Sequence, residues 1–402
     1  MKNIKKINDI NFDGKVAIVR VDFNVPLDKK FNITDTTRID LGINSIKHVL
    51  DNGGKCIVMS HLGRPKGNGY QEEFSLKNIL KYLSDLLNKE ICLVDNYFSD
   101  NFSIHDYLIK NDVILLENLR FYSEEKKNDL KFSKKLASMA DIYINNAFGT
   151  CHREHASTNS IIKYSKNYCI GDLVYDELSN INRVLFDENK PFTAILGGAK
   201  VSDKINVIEK LIDLVDNIVI GGAMANTFIK SKGGNIGKSL YEEDNIEVAK
   251  SLLEKAEKQN VKIYLPEDLV CSKSIDDHNT KTFNSYDVPN NYSGFDVGNN
   301  SINTFKEVIL NSKKIIWNGP MGVFEIDEFS NGTIEICKLV TKATKKGAFS
   351  LVGGGDSVSA IKKNNQQNNI SFISTGGGAL LEYISNGTLP SLELLNNEQT
   401  TL

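Results

Sequence analysis

Short apolar runs alternate along the chain with segments whose apolar residues recur at helical spacing. In residues 39–50, isoleucine and leucine return every three or four positions, as they do in 205–215. Strand–helix alternation of this kind predicts parallel sheets covered by helices on both faces. The runs that predict strands are 16–21, 56–60, 91–95, 113–116, 142–145, 193–196, 218–221, 262–265, 314–317, 349–353 and 371–374.

The strand–helix pattern forms two series that separate near residues 170–190. Between them, 172–186 has helical periodicity and ends before the breaker Asn-Lys-Pro at 189–191. The predicted fold class is therefore α/β, with two doubly wound parallel-sheet (Rossmann-like) domains joined by a linker helix. We expect an N-terminal domain at 1–171, the linker helix at 172–186, a C-terminal domain at 187–385 and a segment at 386–402 that returns to the N-terminal domain.

The composition excludes several classes of protein. The chain has 402 residues, 41% of them hydrophobic, which is enough for two or three domains. A formal net charge of −3 gives no overall attraction to nucleic acid or to an acidic membrane. The six cysteines are scattered and suit a reducing compartment. The first ten residues lack the apolar core of an export signal, and no run reaches the ~18 apolar residues of a membrane span. We expect a cytoplasmic protein.

The first predicted strand ends in polar residues at alternate positions. Arg20, Asp22 and Asn24 share one face of the extended chain, because alternate residues of a strand point the same way. A core strand has no structural reason to carry a guanidinium, a carboxylate and an amide at its end, whereas a binding site does. We expect Asp22 and Asn24 to accept hydrogen bonds from a ligand hydroxyl and to orient nearby arginines. Arg20 is expected to be structural and paired with a buried carboxylate.

Arginines follow the other strand ends of the first half. A guanidinium matches phosphate or carboxylate in a bidentate way, so several of them predict a site for a small, multiply charged anion. Any single one could form a surface ion pair, and the histidine among them could be a structural donor. The candidates are Arg38, Arg64, Arg120, Arg153 and His61.

Glycine loops follow strands in the second half, at 197–198, 353–355 and 376–378. Glycines let the backbone approach a phosphate, and a helix N-terminus adds partial positive charge. Lys200 and Lys204 are expected to lie one helical turn apart and to point the same way. Asp356 could be a helix N-cap or a ligand of nucleotide-bound Mg²⁺.

Three other motifs are weak. Residues 233–239 leave three positions between the glycines where a P-loop has four, and no G-x-G-x-x-G follows a first strand. The Cys-His-Arg-Glu-His run at 151–155 does not have zinc-site spacing, and no second cluster completes it. These motifs therefore carry no site.

The segments at these strand ends resemble the phosphoglycerate kinase family, and the similarity runs nearly end to end. The matching pieces are 20–26 (RVDFNVP), 60–65 (SHLGRP), 117–121 (ENLRF), 147–153 (AFGT with HR), 196–204 (LGGAKVSDK), 317–325 (WNGPMGVFE), 353–356 (GGGD) and 374–379 (STGGGA).

The resemblance implies a role for each matching position. Phosphoryl would pass reversibly between 1,3-bisphosphoglycerate with ADP and 3-phosphoglycerate with ATP, in glycolysis, by in-line transfer with hinge closure. Mg²⁺ would accompany ATP or ADP, the partners would be these small molecules alone, and the protein would be a monomer. The implied 3-phosphoglycerate site is Asp22, Asn24, Arg38, His61, Arg64, Arg120 and Arg153. The implied nucleotide site is Lys200, Lys204, Gly294, Asn318, Glu325, Gly354, Gly355, Asp356 and Ser357, with Asp356 at the metal and with Arg38 and Lys204 catalytic.

The chain departs from the family pattern at positions beside these motifs. None of the departures replaces an implied arginine or lysine, so they bear on hinge and loop detail. A catalytically silent binding protein on the same scaffold is one alternative, and a nicotinamide-dependent dehydrogenase is another. The departures are Asn146, Cys151, Glu154, Asn299, Leu380 and the segment 385–388.

Overall fold

The computed structural model describes residues 4–396. The first three residues of the predicted first domain and the last six of the segment 386–402 therefore lie outside the described residues. The strands are Val16–Val21 (β1), Lys55–Met59 (β2), Cys92–Val94 (β3), Val113–Leu116 (β4), Ile142–Asn146 (β5), Asn167–Ile170 (β6), Phe192–Leu196 (β7), Asn217–Ile220 (β8), Asn235–Ile236 (β9), Lys262–Tyr264 (β10), Asp268–Ser272 (β11), Lys281–Asn284 (β12), Asp287–Val288 (β13), Ser293–Val297 (β14), Lys314–Asn318 (β15), Phe349–Gly353 (β16) and Phe372–Ile373 (β17).

Helices separate most of the strands. The α-helices are Thr37–Asp51 (α1), Lys77–Leu87 (α2), Ile104–Leu108 (α3), Ser123–Lys126 (α4), Leu130–Ala137 (α5), Ile161–Tyr164 (α6), Asp172–Phe186 (α7), Ile205–Ile212 (α8), Met224–Ser231 (α9), Ile246–Lys258 (α10), Asn299–Asn311 (α11), Asn331–Lys345 (α12), Gly355–Lys363 (α13), Gly378–Asn386 (α14) and Pro390–Asn396 (α15). Short 3-10 turns lie at Ile7–Asp9, Glu72–Phe74, Leu119–Phe121, Phe148–Thr150, Glu243–Asn245, Asp327–Phe329 and Gln367–Asn369, and a π-helical turn lies at Ala156–Ser160.

The chain divides into two compact units. The first runs to Leu178 and takes up the chain again from Thr388, and the second is Ser179–Gly387. The division falls inside α7, whose bounds are those predicted for the linker helix. In the C-terminal segment, the Ser391 N–H donates to the Cys151 carbonyl at 3.2 Å, within the first unit.

The first unit has a parallel six-stranded sheet in the order β3-β4-β2-β1-β5-β6. β1 is almost wholly buried, which is why it reads as a continuous apolar run. The strand order reverses at β1, between β2 and β5, and ligands of such sheets bind beyond the carboxyl ends at this point. The ends of β1, β2 and β5 therefore place Asp22, His61 and the segment before Arg153 at one edge.

The second unit has its own parallel six-stranded sheet, in the order β10-β8-β7-β15-β16-β17. Here the order reverses between β7 and β15, so the glycine loops that follow these strands adjoin. Trp317 of β15 is fully buried in the core with Phe305 of α11 and Ile336 of α12. The predicted class of two doubly wound parallel sheets is confirmed.

Some strands have no counterpart among the predicted runs. β6 is a four-residue edge strand that begins with the exposed Asn167. A three-stranded antiparallel sheet, β12-β11-β14, and the pair β13-β9 also belong to the second unit. β12 is largely exposed, β13 has two residues and the first three residues of β14 are half-buried, so these strands give little apolar signal. β11 is mostly buried, but its apolar run is only three residues long. No helix in the described part of the chain combines the length and apolarity needed to span a bilayer.

Candidate active site

Asp22 lies at the centre of the polar edge of the first sheet and is 8% exposed. Its Oδ2 accepts a hydrogen bond from Arg38 Nη1 at 2.7 Å, and its Oδ1 lies 3.8 Å from His61 Nδ1. Arg38 comes from the first turn of α1, so the carboxylate ties that helix to the end of β1. We call the predicted set Asp22, Asn24, Arg38, His61, Arg64, Arg120 and Arg153 the arginine basin.

The Gly63 peptide joins two more members of the arginine basin. Its N–H donates to Asn24 Oδ1 at 2.7 Å, and its carbonyl accepts from Arg120 Nη1 at 2.7 Å. The next residue, Arg64, is exposed and makes no side-chain hydrogen bond or ion pair within residues 4–396. Asn24 is thus fixed by backbone, while the Arg64 guanidinium is available to a ligand.

Arg120 has unused hydrogen-bonding capacity. Its side chain is almost wholly buried, yet its Nε has no hydrogen-bond partner among the described residues. Burial, together with the nearby charges of Arg153 and Arg20, lowers the pKa of Arg120 to about 10. A buried donor without an acceptor is costly, so an anion that reached it would be stabilised.

The histidines around the arginine basin are neutral. Burial and, after it, the charge of Arg153 lower the pKa of His152 to about 4. Burial and the charge of Arg120 lower the pKa of His155 to about 3. Arg153 Nε donates to His152 Nε2 at 3.2 Å, which needs an unprotonated nitrogen there. The positive charge of this edge is therefore carried by the guanidiniums.

Arg20 is fully buried, as expected, but its predicted partner is wrong. It donates from Nε to the Ser157 hydroxyl at 2.9 Å and from Nη1 to the Val21 carbonyl, and not to a carboxylate. The carboxylate stands one step further on, because Ser157 Oγ donates to Glu125 Oε1 at 2.6 Å. The intervening serine is distant in sequence, which left no local pattern to predict it.

Two residues that support the arginine basin were missed as candidates. Asn118 donates from Nδ2 to the carbonyls of Leu62 and Phe74 at 2.7 and 2.8 Å, and its Oδ1 accepts from the Arg120 N–H at 3.0 Å. Glu117 Oε2 accepts from Ser75 Oγ at 2.6 Å. Both directly follow the buried strand β4, and that position was the available signal.

The segment 151–155 shows no metal centre. Cys151 is fully buried, its Sγ is 3.7 Å from Asn145 Oδ1, and burial raises the pKa of its thiol to about 12. The described residues contain no group of three or more histidine, cysteine or acidic residues that could hold a metal ion.

Lys204 is the buried cation of the second unit. It is 8% exposed, and its Nζ donates to the Asn318 carbonyl at 2.9 Å and to Asn318 Oδ1 at 2.6 Å. Burial lowers its pKa to about 8, opposed by the nearby charges of Asp203 and Asp356. Two predicted nucleotide residues, Lys204 and Asn318, are thus in direct contact.

The glycine loops are joined to one another by short hydrogen bonds. Asn318 Nδ2 donates to the Gly353 carbonyl at 3.0 Å, and the Gly319 N–H donates to Ser357 Oγ at 2.7 Å. Gly354 has φ +95° and is the N-cap of α13, a conformation that favours glycine. Asp356 therefore lies inside the first turn of α13 and is not its N-cap.

The expected helical pairing of Lys200 and Lys204 is wrong. Helix α8 begins only at Ile205, so the two lysines stand on the turn before it. Lys200 is exposed, whereas Lys204 is buried. The turn is held by Glu242, another residue that sequence reasoning missed, whose carboxylate accepts from the Ser202 N–H at 2.9 Å and from its hydroxyl at 2.5 Å.

Two predicted nucleotide residues are not bonded to the loops around Asn318. Gly294 lies in β14 of the three-stranded sheet, and its N–H donates to Ser239 Oγ at 2.8 Å. Glu325 is exposed and has no side-chain partner within residues 4–396.

The departure at Asn146 has a structural explanation. Its Nδ2 donates to the Gly42 carbonyl of α1 at 3.0 Å, and its Oδ1 accepts from the Leu173 N–H in the first turn of α7 at 3.0 Å. An aspartate could accept the second bond but could not make the first at neutral pH. Ser45 of α1 adds a second link, accepting from the Asp172 N–H at 2.8 Å.

The other departures leave the described site intact. Leu380 is buried against Gly353, and a side chain at that glycine would meet Leu380 Cδ2 at 2.2 Å. Glu154 and Asn299 are exposed. The segment 385–388 spans the end of α14.

An arginine-lined edge on one doubly wound unit and a glycine-lined edge on the other are typical of a two-domain phosphotransferase. The sequence profile of the phosphoglycerate kinase family matches residues 7–387. The chain therefore belongs to the phosphoglycerate kinase family, whose name describes kinases with a carboxyl acceptor. This membership contradicts the dehydrogenase alternative.

Individual relatives agree with this family assignment. The chain is 47% identical to the phosphoglycerate kinase of Finegoldia magna, covering 98% of this chain and 99% of that protein. Among solved structures, it is similar to the phosphoglycerate kinase of Coxiella burnetii, with 36% identity, a TM-score of 0.87 and 98% of both chains covered. For that of Pyrococcus horikoshii the identity is 28% and the TM-score 0.78, with 97% of this chain and 98% of that one covered.

Proposed function

We propose that this protein transfers a phosphoryl group reversibly between 1,3-bisphosphoglycerate with ADP and 3-phosphoglycerate with ATP, as a step of glycolysis. The observation that carries the proposal is the Arg120 Nε, a buried donor without an acceptor among the described residues, set beside the other guanidiniums of the arginine basin. A cluster of guanidiniums with such an unsatisfied donor favours a multiply charged anion over a neutral metabolite.

The arginine basin would hold 3-phosphoglycerate or its acyl phosphate. Asp22 repels anions, so it would accept a hydrogen bond from the substrate hydroxyl while it orients Arg38. Arg64, which is exposed, would close on the ligand. The complete proposed set is Asp22, Asn24, Arg38, His61, Arg64, Arg120 and Arg153.

The glycine loops would hold the nucleotide phosphates. Gly354 is the N-cap of α13 and Gly355 is its first residue, and their amides suit phosphate oxygens. Glu325 would contact the ribose, and Gly294 would lie near the adenine. The complete proposed set is Lys200, Lys204, Gly294, Asn318, Glu325, Gly354, Gly355, Asp356 and Ser357.

Asp356 fits a magnesium ion that arrives with the nucleotide. Its carboxylate is exposed beside the glycine loop, and its charge acts on Lys204. Mg²⁺ keeps several waters and needs only one or two carboxylates besides the phosphates, so a single acidic residue suffices. When bound, the ion would neutralise phosphate charge.

The chemistry asks little of the side chains beyond position and charge. The acceptor carboxylate is already ionised, so no general base is needed. Lys204 and Arg38 would stabilise the charge of the phosphoryl group in flight, together with the loop amides. Lys204 is suited to this because two hydrogen bonds to Asn318 hold its ammonium group in place.

Transfer requires the two ligands to meet, and the proposed sites belong to different units. We therefore infer hinge closure about α7, which spans the division between the units. Small-angle scattering should show compaction when both ligands are present. An unchanged radius of gyration would contradict the closure. We further propose a cytoplasmic monomer without nucleic-acid or membrane partners.

The direct test is an ATP-dependent assay with 3-phosphoglycerate, coupled to reduction of the acyl phosphate. Wild type should turn over, and Arg38→Ala should lose turnover by ~10²-fold or more with little loss of ADP affinity. Lys47→Ala, which removes a charge from the same helix, is the matched control. Binding of both ligands without turnover would instead indicate the catalytically silent protein.

A further inference from the structure

His61 and Arg20 form a buried pair behind the arginine basin. Arg20 is fully buried and His61 is 3% exposed. Arg20 Nη2 lies 3.2 Å from His61 Nδ1. A guanidinium can only donate hydrogen bonds, so Nδ1 must be the acceptor in this contact.

Arg20 is held so that it cannot turn away from the histidine. Its Nε is bonded to Ser157 Oγ at 2.9 Å, and its Nη1 donates to the Val21 carbonyl. Ser157 is in turn anchored on Glu125, through its hydroxyl at 2.6 Å and its N–H at 3.0 Å. Glu125 is fully buried and offsets the arginine charge.

The other neutral tautomer of the imidazole, with its proton on Nδ1, would also have a nearby partner. Asp22 Oδ1 lies 3.8 Å from Nδ1, so a proton on Nδ1 could be donated to that carboxylate. This contact is longer than a hydrogen bond, while the contact with Arg20 is within range. The carboxylate is also engaged by Arg38 at 2.7 Å. The geometry favours Arg20 as the partner of Nδ1.

The charges that act on His61 come from several elements of the first unit. Burial has the largest effect and holds the pKa of His61 well below its usual value. The charges of Arg20, Arg120, Arg153 and Arg38 act in the same direction. The ring is therefore neutral at physiological pH and carries a single N–H.

We propose that Arg20 is a positioning residue that holds His61 as the neutral tautomer with its proton on Nε2, so that the imidazole offers a substrate oxygen a hydrogen bond without a further charge. The tautomer does not depend on the proposed function, whereas the identity of the oxygen, a phosphate or carboxylate of 3-phosphoglycerate, rests on it. A neutral donor adds direction to a cluster of guanidiniums that already repel one another.

The test is ¹⁵N NMR of the histidine side chains in the ligand-free, full-length protein at pH 7. His61→Gln identifies the His61 signals by their loss. Wild type should show the Nε2–H pattern, and Arg20→Met should move His61 toward the Nδ1–H form, because Asp22 becomes the remaining partner. Lys126→Met is the matched control, since Lys126 also feels the charges of Arg120, Arg153 and Arg64 but donates to the Pro65 carbonyl.

Each spectrum decides the matter. An Nδ1–H or imidazolium pattern in wild type would overturn the proposal, as would an unchanged pattern in Arg20→Met. If Arg20→Met does not fold, the wild-type spectrum still decides the tautomer of His61. Arg20→Lys, which keeps a donor at this position, should then retain the Nε2–H pattern. The measurement uses no ligand, so its outcome is distinct from that of the turnover assay.

A kinetic comparison separates positioning from simple structural support. A glutamine amide nitrogen can take the place of Nε2, whereas that of asparagine takes the place of Nδ1. His61→Asn should therefore raise the KM for 3-phosphoglycerate about tenfold more than His61→Gln, with no such difference for ATP. Equal effects of the two substitutions would contradict the assigned donor.

Discussion

The candidate ligand-binding edge of the first sheet is built from side chains, whereas that of the second is built from backbone. In the first, Asp22 and the Gly63 peptide fix guanidiniums in advance. In the second, Gly319 and Gly353 are held by neighbouring side chains, and one buried lysine supplies charge. A side-chain site selects a ligand by its charge pattern, while a backbone site selects any phosphate that fits. The first edge should therefore govern substrate specificity and the second should govern phosphate geometry.

The largest effect is expected from Lys204→Ala. Lys204 is the buried cation of the glycine-lined edge, so its removal should lower turnover by ~10²- to 10³-fold. The matched change is Lys200→Ala, which removes an exposed lysine from the same loop and should cost much less. Coupled-assay kinetics, with thermal unfolding to check the fold, measure both. Near-normal turnover of Lys204→Ala would remove this lysine from the mechanism.

The next largest effect is expected from crowding the backbone site. Gly222 and Gly233 both have positive φ, +67° and +84°, so alanine is strained at either. At Gly222 a Cβ would also meet the Gly198 carbonyl oxygen at 2.5 Å and its nitrogen at 2.6 Å, while at Gly233 nothing lies within 4 Å. Gly233→Ala should cost about 1–2 kcal/mol of stability, and Gly222→Ala should cost more and weaken ADP binding.

Chemical denaturation and ADP titration of these two glycine variants check the claim. Equal losses in both would mean that close packing of the glycine loops does not matter to the nucleotide site. The comparison between the two edges would then rest on the lysine alone.

How far these edges could be predicted from sequence differs between them. Every predicted strand overlaps an observed one, because buried parallel strands are continuous apolar runs. The guanidiniums were recognised by residue type and position after a strand. Their supports were not, since Ser157 and Glu125 reach Arg20 from distant parts of the chain.

In the second unit, the spacing of two lysines gave a wrong prediction because the helix begins after both of them. Lys200 and Lys204 have the spacing of one helical turn, yet α8 starts at Ile205 and the lysines occupy different environments. The turn is held by Glu242, which is 40 residues from Ser202 in the sequence, and no periodicity reveals such a contact. Glycine positions, in contrast, were informative, because a strand-to-helix loop that approaches phosphate requires them.

A smaller effect should follow from Asn146→Asp. The change keeps the bond from the Leu173 N–H but sets a carboxylate against the Gly42 carbonyl, so a buried acceptor loses its donor. The expected cost is about 1–3 kcal/mol of stability. Asn52→Asp is the matched control, because this exposed asparagine also donates to a carbonyl, that of His48 at 2.8 Å.

Denaturation curves for these asparagine variants give the stability, and kinetics give the link to function. Asn146 joins α1, which carries Arg38, to the first turn of α7. Turnover should therefore fall in Asn146→Asp by more than in Asn52→Asp under conditions where both are folded. Loss of stability with unchanged turnover would confine Asn146 to a structural role.

The smallest expected effect is a dependence on pH that belongs to Lys204. Its pKa is about 8 in the folded protein, below the usual value of 10.5, because burial disfavours the charge. As pH rises past 8 the free enzyme loses this cation, so kcat/KM for ATP should be about fourfold lower at pH 8.5 than on its plateau. The stability of the fold should change with pH in the opposite direction to activity.

Between pH 8 and 10.5 the unfolded chain binds more protons at Lys204 than the folded one, so the free energy of unfolding should rise relative to a Lys204→Met variant. A falling kcat/KM together with a rising relative stability would identify the buried lysine as the titrating group, whereas a flat profile in both would contradict its burial as a cation.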